Sequence, residues 1–302
     1  MRFTQRSVLP RSTAASGATL VDQSREATHL VILVPGTGPH AHDDRPKGTF
    51  TKKAKRFREM MEDACRREFA DTDAWVELVP IVFHADLHAL DSTKRRMDMV
   101  TLPSIPWIRT MDNEVIGDIL YYFATYHGHR MLDMIINKLN QAYNDFIARN
   151  PHFSGTVSIV AHSLGGLICY EILYLMNMRR QQMGNAGGDW ESERYQGLPN
   201  LDFAPNRLFT MGSPHGGTLV FRNLELHDYL IGGAGFHNIF HPYDPFGYRT
   251  EPLINDDYAN IPAVPITGSS DLARDLQKRR SLSGSMVDMG KTFVEAISAP
   301  VA

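Results

Sequence analysis

His29 to Val34 (HLVILV) is apolar on every residue after the first, with no alternation, and it closes at Pro35-Gly36. A β-branched run of this kind predicts a parallel strand buried on both faces. Val76 to Phe83, Thr156 to Ala161, Arg207 to Met211 and His237 to His241 read the same way. Between them the spacing becomes helical. Thr51 to Phe69 carries Phe57, Met60, Met61, Ala64 and Cys65 on one face, with charged residues opposite. Glu114 to Arg149 repeats the pattern through Val115, Ile119, Leu120 and Phe123, then Met131, Met134, Ile135 and Leu139. Strands alternating with helices predict an α/β fold, a mostly parallel sheet flanked by helices on both sides.

Three segments depart from this rhythm. The stretch 85–113 is long and reads as irregular, with Lys94, Arg95 and Arg96 ahead of Val100, Leu102, Ile105, Trp107 and Ile108. The stretch 177–200 is rich in Arg, Gln, Gly and Asn and reads as a surface insertion. Beyond Ile261 the alternation stops, and one amphipathic stretch remains, Ser281 to Ile297. The expected organisation is a disordered tail over 1–27, the α/β core over 28–255 and an irregular tail over 256–302.

Composition narrows the setting. A net charge of −3 gives no electrostatic case for nucleic acid. The two cysteines, Cys65 and Cys169, fall in helical patterns, which predicts buried reduced thiols and a reducing compartment. No apolar run is long enough to cross a membrane as a helix. The first 21 residues hold Arg2, Arg6 and Arg11 and no acid, which suits a mitochondrial transit peptide or a disordered tail equally.

The chemistry centres on Val157 to Gly166 (VSIVAHSLGG). Ser163 stands between a predicted strand and a predicted helix, in a G-x-S-x-G elbow with Ala161 in place of the first glycine and Gly165 as the second. Such an elbow holds its serine in a strained turn above the sheet, and small residues two positions away let neighbouring backbone approach. The fold expected is therefore α/β-hydrolase-like, with Ser163 as nucleophile. An oxyanion hole needs two donors. The N–H of Leu164 is one candidate, and the N–H of Thr37, in Pro35-Gly36-Thr37-Gly38, is the other. Proline here occupies a position where hydrolases often carry histidine, but a backbone donor does not depend on it.

Asp244, in His241-Pro242-Tyr243-Asp244-Pro245, follows the last predicted strand and suits the acid of a serine triad. All thirteen histidines lie at or before His241, so the base that should follow Asp244 is not in its usual place. His215 and His241 are the nearest substitutes, and His215 reads as a loop histidine at the rim of the site. His162 is expected to point away from Ser163.

On these residues the sequence resembles the intracellular phospholipase A1 family that carries a DDHD domain and often prefers phosphatidic acid. The matching stretches are His29 to Gly38, Ile116 to Tyr122, Leu139 to Pro151, Val157 to Gly165, Met211 to Pro214 and Asn238 to Leu253 (NIFHPYDPFGYRTEPL). The resemblance implies hydrolysis of a glycerophospholipid acyl ester, with Ser163 as nucleophile, Asp244 in the family's Asp/His set, and a cytoplasmic, peripheral membrane setting. The family's further Asp and His residues, with a suggested metal site, have no counterpart here. The expectation is a sheet without its last strand and catalytic-His region, no metal, no cofactor and weak activity. Lys94, Arg95, Arg96 and Trp107 are candidates for membrane contact, although Trp107 equally suits packing beneath the sheet. Two other functions remain open: a non-catalytic lipid-binding or scaffold protein that lost its base, and a soluble esterase or thioesterase.

Overall fold

Five of the six residues of β1 (His29–Val34) are buried. Leu30, Ile32 and Val34 enter one apolar cluster, and Val31 and Leu33 enter another. With core on both faces, alternation has no role, and the unbroken apolar run follows. The computed structural model describes residues 26–36, 50–83, 93–182, 195–222 and 234–266. Within them β2 (Val76–Pro80), β3 (Thr156–His162), β4 (Arg207–Met211) and β5 (Gly235–Ile239) join β1 in one all-parallel sheet of order β2-β1-β3-β4-β5. The α/β-hydrolase-like architecture expected from the sequence is the one found.

Helix α1 (Phe50–Glu68) covers one face of the sheet, burying Phe50, Ala54, Phe57, Met61, Ala64 and Cys65. On the other face lie α4 (Thr125–Arg149) and α5 (Leu164–Gln182), with Met131, Ile135, Leu139, Phe146 and Ile168 fully buried. Each such aliphatic or aromatic side chain contributes about 1.5–3 kcal/mol through burial, so both helices are held by the sheet rather than by intrinsic helicity. Cys65 and Cys169 are buried and unbridged, as expected, and burial pushes both thiols upward in pKa.

Several boundaries differ from the sequence reading. β2 stops at Pro80 instead of Phe83, because proline has no N–H to donate and one further bond, Ile81 N–H to the Leu33 carbonyl, ends the pairing. β5 runs from Gly235 to Ile239, ending where the Ile239 carbonyl accepts the N–H of Gly212. The pattern over 114–149 reads as one helix, but Ala124 is extended (φ −68°, ψ 129°) and separates α3 (Pro106–Phe123) from α4. The stretch 85–113 is not irregular throughout, since α2 (Thr93–Val100) and the start of α3 fall inside it. Pro106 opens α3, where its fixed φ suits a first turn. α5 likewise continues through Gln182, well into the supposed insertion. Asn177 is buried there, and Arg179 donates to the carbonyls of Tyr195 and Leu198 and to Asn200 Oδ1. Ser281 to Ile297 and the N-terminal 25 residues lie outside the described residues. Among the described residues no helix is long and apolar enough to cross a membrane.

Candidate active site

From β1 the chain crosses to β2 on one side, and it later returns to place β3 on the other. The carboxyl ends of β1 and β3 therefore flank a topological switch point, where diverging connections leave a crevice above the sheet. Gly36 leaves β1 there, and Ser163 leaves β3.

Ser163 has φ 51°, one of two non-glycine residues with positive φ among the described residues. That conformation costs a residue with a side chain about 1–3 kcal/mol and persists only where surrounding contacts enforce it. Here the Ser163 N–H donates to the Met211 carbonyl of β4 (2.9 Å), and the Ser163 carbonyl accepts the N–H of Gly166 (3.0 Å). The close fit also requires small neighbours. A Cβ on Gly165 would meet the Pro35 carbonyl oxygen at 2.1 Å, and one on Gly166 would meet Ser213 Oγ at 2.7 Å. One on Gly36 would meet the Ser163 Cβ at 2.6 Å. Ala161 is fully buried two residues before the turn. The structure thus forms the strand–turn–helix elbow at the position read from sequence.

Leu164 is the first residue of α5, so no carbonyl within the helix accepts its N–H, and it sits at the positive end of the helix dipole. Thr37 lies outside the described residues, which end on this side at Gly36. His162 does not lead away from the site: its Nδ1 would lie 3.1 Å from a Cβ on Gly36, beside the same position that faces Ser163.

Asp244 is half-buried in the turn after β5. Its Oδ1 accepts the Phe246 N–H (2.9 Å), and its own N–H donates to the His241 carbonyl (2.9 Å). Its Oδ2 hangs over Gly212, where a Cβ would come within 2.5 Å of it. Gly212 has φ 53° and follows Met211, whose carbonyl holds the Ser163 N–H. Ser163 and Asp244 therefore converge on the end of β4 from the two strands beside it.

His215 is not a rim histidine. It opens α6 (His215–Phe221), is fully buried, and stacks on Tyr170 (centroids 5.5 Å) with Phe236 edge-on at 5.3 Å. Glycines at 216 and 217 let Tyr248 and the Arg249 carbonyl pack onto the helix and seal it in. Burial lowers the His215 pKa to about 4, so the ring is a weak base and poorly suited to take a proton from Ser163. His241 is exposed, and its Nδ1 accepts the N–H of Tyr243 (3.2 Å).

The membrane-contact candidates lie on α2 and α3. Arg95 and Arg96 are exposed on α2, with Lys94 on the same helix, and exposed Met99 (73%), Val100 (74%) and Leu102 (61%) follow. Trp107 falls in the first turn of α3, but its side chain lies outside the described residues. Among the described residues no group of three or more His, Cys, Asp or Glu side chains gathers to hold a metal.

The sequence reading did not find the polar knot behind the elbow. Buried Glu171 on α5 accepts hydrogen bonds from Tyr122 and from Tyr195 (2.6 Å) and pairs with Arg222 (3.5 Å). These partners lie far apart in sequence, and no local spacing signals their meeting.

Comparison with known proteins adds the family. Residues 123–229 match the family described as "Putative serine esterase (DUF676)", and residues 201–300 match the DDHD domain. An intracellular phospholipase A1 of Caenorhabditis elegans is 25% identical over 316 residues, covering 91% of this chain and 36% of the relative. Phospholipase DDHD1 of Homo sapiens is 30% identical over 296 residues, 82% of this chain and 32% of the relative. Triacylglycerol hydrolase DDHD2 of Homo sapiens is 34% identical over 152 residues, 48% of this chain and 21% of the relative. The chain thus spans about a third of the length of the first two relatives.

Proposed function

Because the chain belongs to the DDHD-domain family of serine esterases, we propose that it hydrolyses an acyl ester of glycerophospholipids at a membrane surface, with Ser163 as nucleophile. The observation that carries this reading is the Ser163 φ of 51°, held at the switch point of a parallel sheet with a helix behind it. Strain of that kind lifts a hydroxyl out of the sheet, and a structural turn would relieve it with glycine.

In the reaction the Ser163 oxygen attacks the ester carbonyl. The tetrahedral oxyanion is held by the N–H of Leu164 and by a second backbone donor in the turn after Gly36, where Thr37 stands. Collapse breaks the ester C–O bond, and the proton given up by the Ser163 hydroxyl passes to the leaving oxygen to yield the lysophospholipid alcohol. Water then frees the fatty acid from the acyl-serine and restores the hydroxyl. Asp244 is the acid of this set, orienting an imidazole. Neither His215 nor His241 suits the role of base, the first because it is sealed in and the second because it is exposed with its Nδ1 already accepting the Tyr243 N–H. Arg95, Arg96 and the exposed apolar residues of α2 support contact with an anionic surface, since guanidinium matches phosphate oxygens in pairs. A phosphatidic-acid head group fits that charge.

The sealed His215 also favours a second reading, a lipid-binding relative that keeps the elbow without turnover. Vesicles of phosphatidic acid, vesicles of phosphatidylcholine and a triacylglycerol emulsion separate the possibilities. The proposal expects fatty acid and lysophospholipid from the vesicles, lost in Ser163→Ala. Vesicle binding without fatty acid release, alike in both proteins, supports the second reading, and cleavage of the emulsion alone rejects the phospholipid substrate.

A further inference from the structure

A cavity of about 790 Å³ lies at the opposite end of the sheet from Ser163. Thr156 and Val157 line it at the amino end of β3, Asn206 lines it just before β4, and the last turns of α5 with residues 200–206 form its sides. β3 is seven residues long, which at about 3.3 Å per residue places the cavity on the order of 20 Å from Ser163. It is no part of the site described above.

The wall is held in place from several sides. Asn140 donates to the Asn200 carbonyl (2.8 Å) and accepts the Asp202 N–H (2.9 Å), and Asn144 donates to Asp202 Oδ2 (2.7 Å). Asn206 N–H donates to the Val157 carbonyl (2.7 Å), and the Asn206 carbonyl accepts the Gly235 N–H (2.9 Å). Arg179 fixes the loop at 195–200 with its guanidinium. Inside, the lining is divided evenly between polar and apolar surface, and the apolar half is Tyr143 and Phe203 in ring contact (5.0 Å) with Leu173, Met176, Val157 and Leu201. Arg180 lines it too, is exposed, and makes no ion pair or hydrogen bond with any described residue.

An apolar wall beside a polar one, with a guanidinium that pairs with no described residue, suits a ligand with one apolar chain and an anionic head. The volume falls within the roughly 300–1,000 Å³ of small-molecule sites. A cationic head would face two arginines, while Asp202 is already engaged by Asn144. The C-terminal end of α5 carries about half a negative charge, which opposes an anion, but Arg179 and Arg180 in its last turn outweigh it. We propose that this cavity binds a single-chain anionic amphiphile, a fatty carboxylate or an alkyl phosphate, with its head on Arg180 and its chain against Phe203 and Leu173.

Calorimetric titration of the Ser163→Ala chain with decanoate and with decyl phosphate, each below its micelle concentration, tests this without dependence on hydrolysis. One saturable site is expected, weakened about tenfold or more by Arg180→Glu, as fits a lost charge-assisted pair, and abolished by Leu201→Trp. The head group that binds more tightly identifies the source of the ligand. The proposal is overturned by decanol binding as tightly as decanoate, by an Arg180→Glu affinity within about twofold of the parent, or by no saturable binding to a chain that unfolds at the parent temperature. Arg180 lies on the surface, so that variant remains informative if Leu201→Trp fails to fold.

Discussion

Substituting alanine for Gly36 tests whether the crevice between β1 and β3 is the place of reaction. Gly36 does not have positive φ, so alanine brings no backbone strain, and its whole effect is steric. The new Cβ would lie 2.6 Å from the Ser163 Cβ, where ordinary contact begins at 3.4 Å, so the two must separate by about 0.8 Å (3.4 − 2.6). The His162 carbonyl at 3.0 Å and Nδ1 at 3.1 Å close the other escape routes, so much of the shift falls on the elbow. Displacing a reacting atom by about 1 Å can cost on the order of 10²-fold in rate, while overpacking costs about 1–3 kcal/mol of stability. The Gly36→Ala protein should therefore fold, unfold at a somewhat lower temperature, and react with a fluorophosphonate about a hundredfold more slowly. Gly117→Ala is the control, because a Cβ there meets nothing within 4 Å and the change should gain up to about 1 kcal/mol of helix stability. A Gly36→Ala protein that labels within about threefold of the parent rate would refute the steric reasoning.

Asp244→Asn should cut phospholipid turnover by on the order of 10⁴-fold if the carboxylate orients an imidazole, and a loss under about tenfold would mean that another acid serves. Replacing Lys94, Arg95 and Arg96 together by glutamate should weaken sedimentation with anionic vesicles at moderate salt and leave binding to neutral vesicles unchanged; equal sedimentation would remove α2 from the membrane contact. His215 binds its proton near pH 6.5 when unfolded and only near pH 4 when folded, so its contribution to stability is complete above pH 6.5 and is lost as pH falls toward 4. That difference amounts to roughly 3–4 kcal/mol. His215→Leu should flatten the pH dependence of urea unfolding across this window, and an unchanged slope would mean the ring is not sealed.

What the sequence could show follows from how local each cause is. β1 was readable to the residue because burial on both faces writes an unbroken apolar run, and β4 (RLFTM) was readable although its buried positions include Arg207 and Thr210. Ser163 was readable because a left-handed turn between strand and helix demands small neighbours close in sequence. The break at Ala124 has no glycine or proline to announce it, and it depends on α3 packing against α4. The seat of Asp244 over Gly212 joins the turns after two adjacent strands, so only its place after the last strand was visible. His215 misled for a similar reason. Its glycines look like a loop, but their effect is to admit Tyr248 from residues downstream. The Glu171 knot is made of pairs up to 51 positions apart and follows no period.

A nucleophilic Ser163 needs an activated hydroxyl, and mass spectrometry after fluorophosphonate treatment measures that directly. The prediction is one covalent adduct per chain, mapped to the peptide carrying Ser163 and lost in Ser163→Ala while the unfolding temperature is retained. A folded chain that stays unlabelled, or an adduct that maps elsewhere, would contradict it.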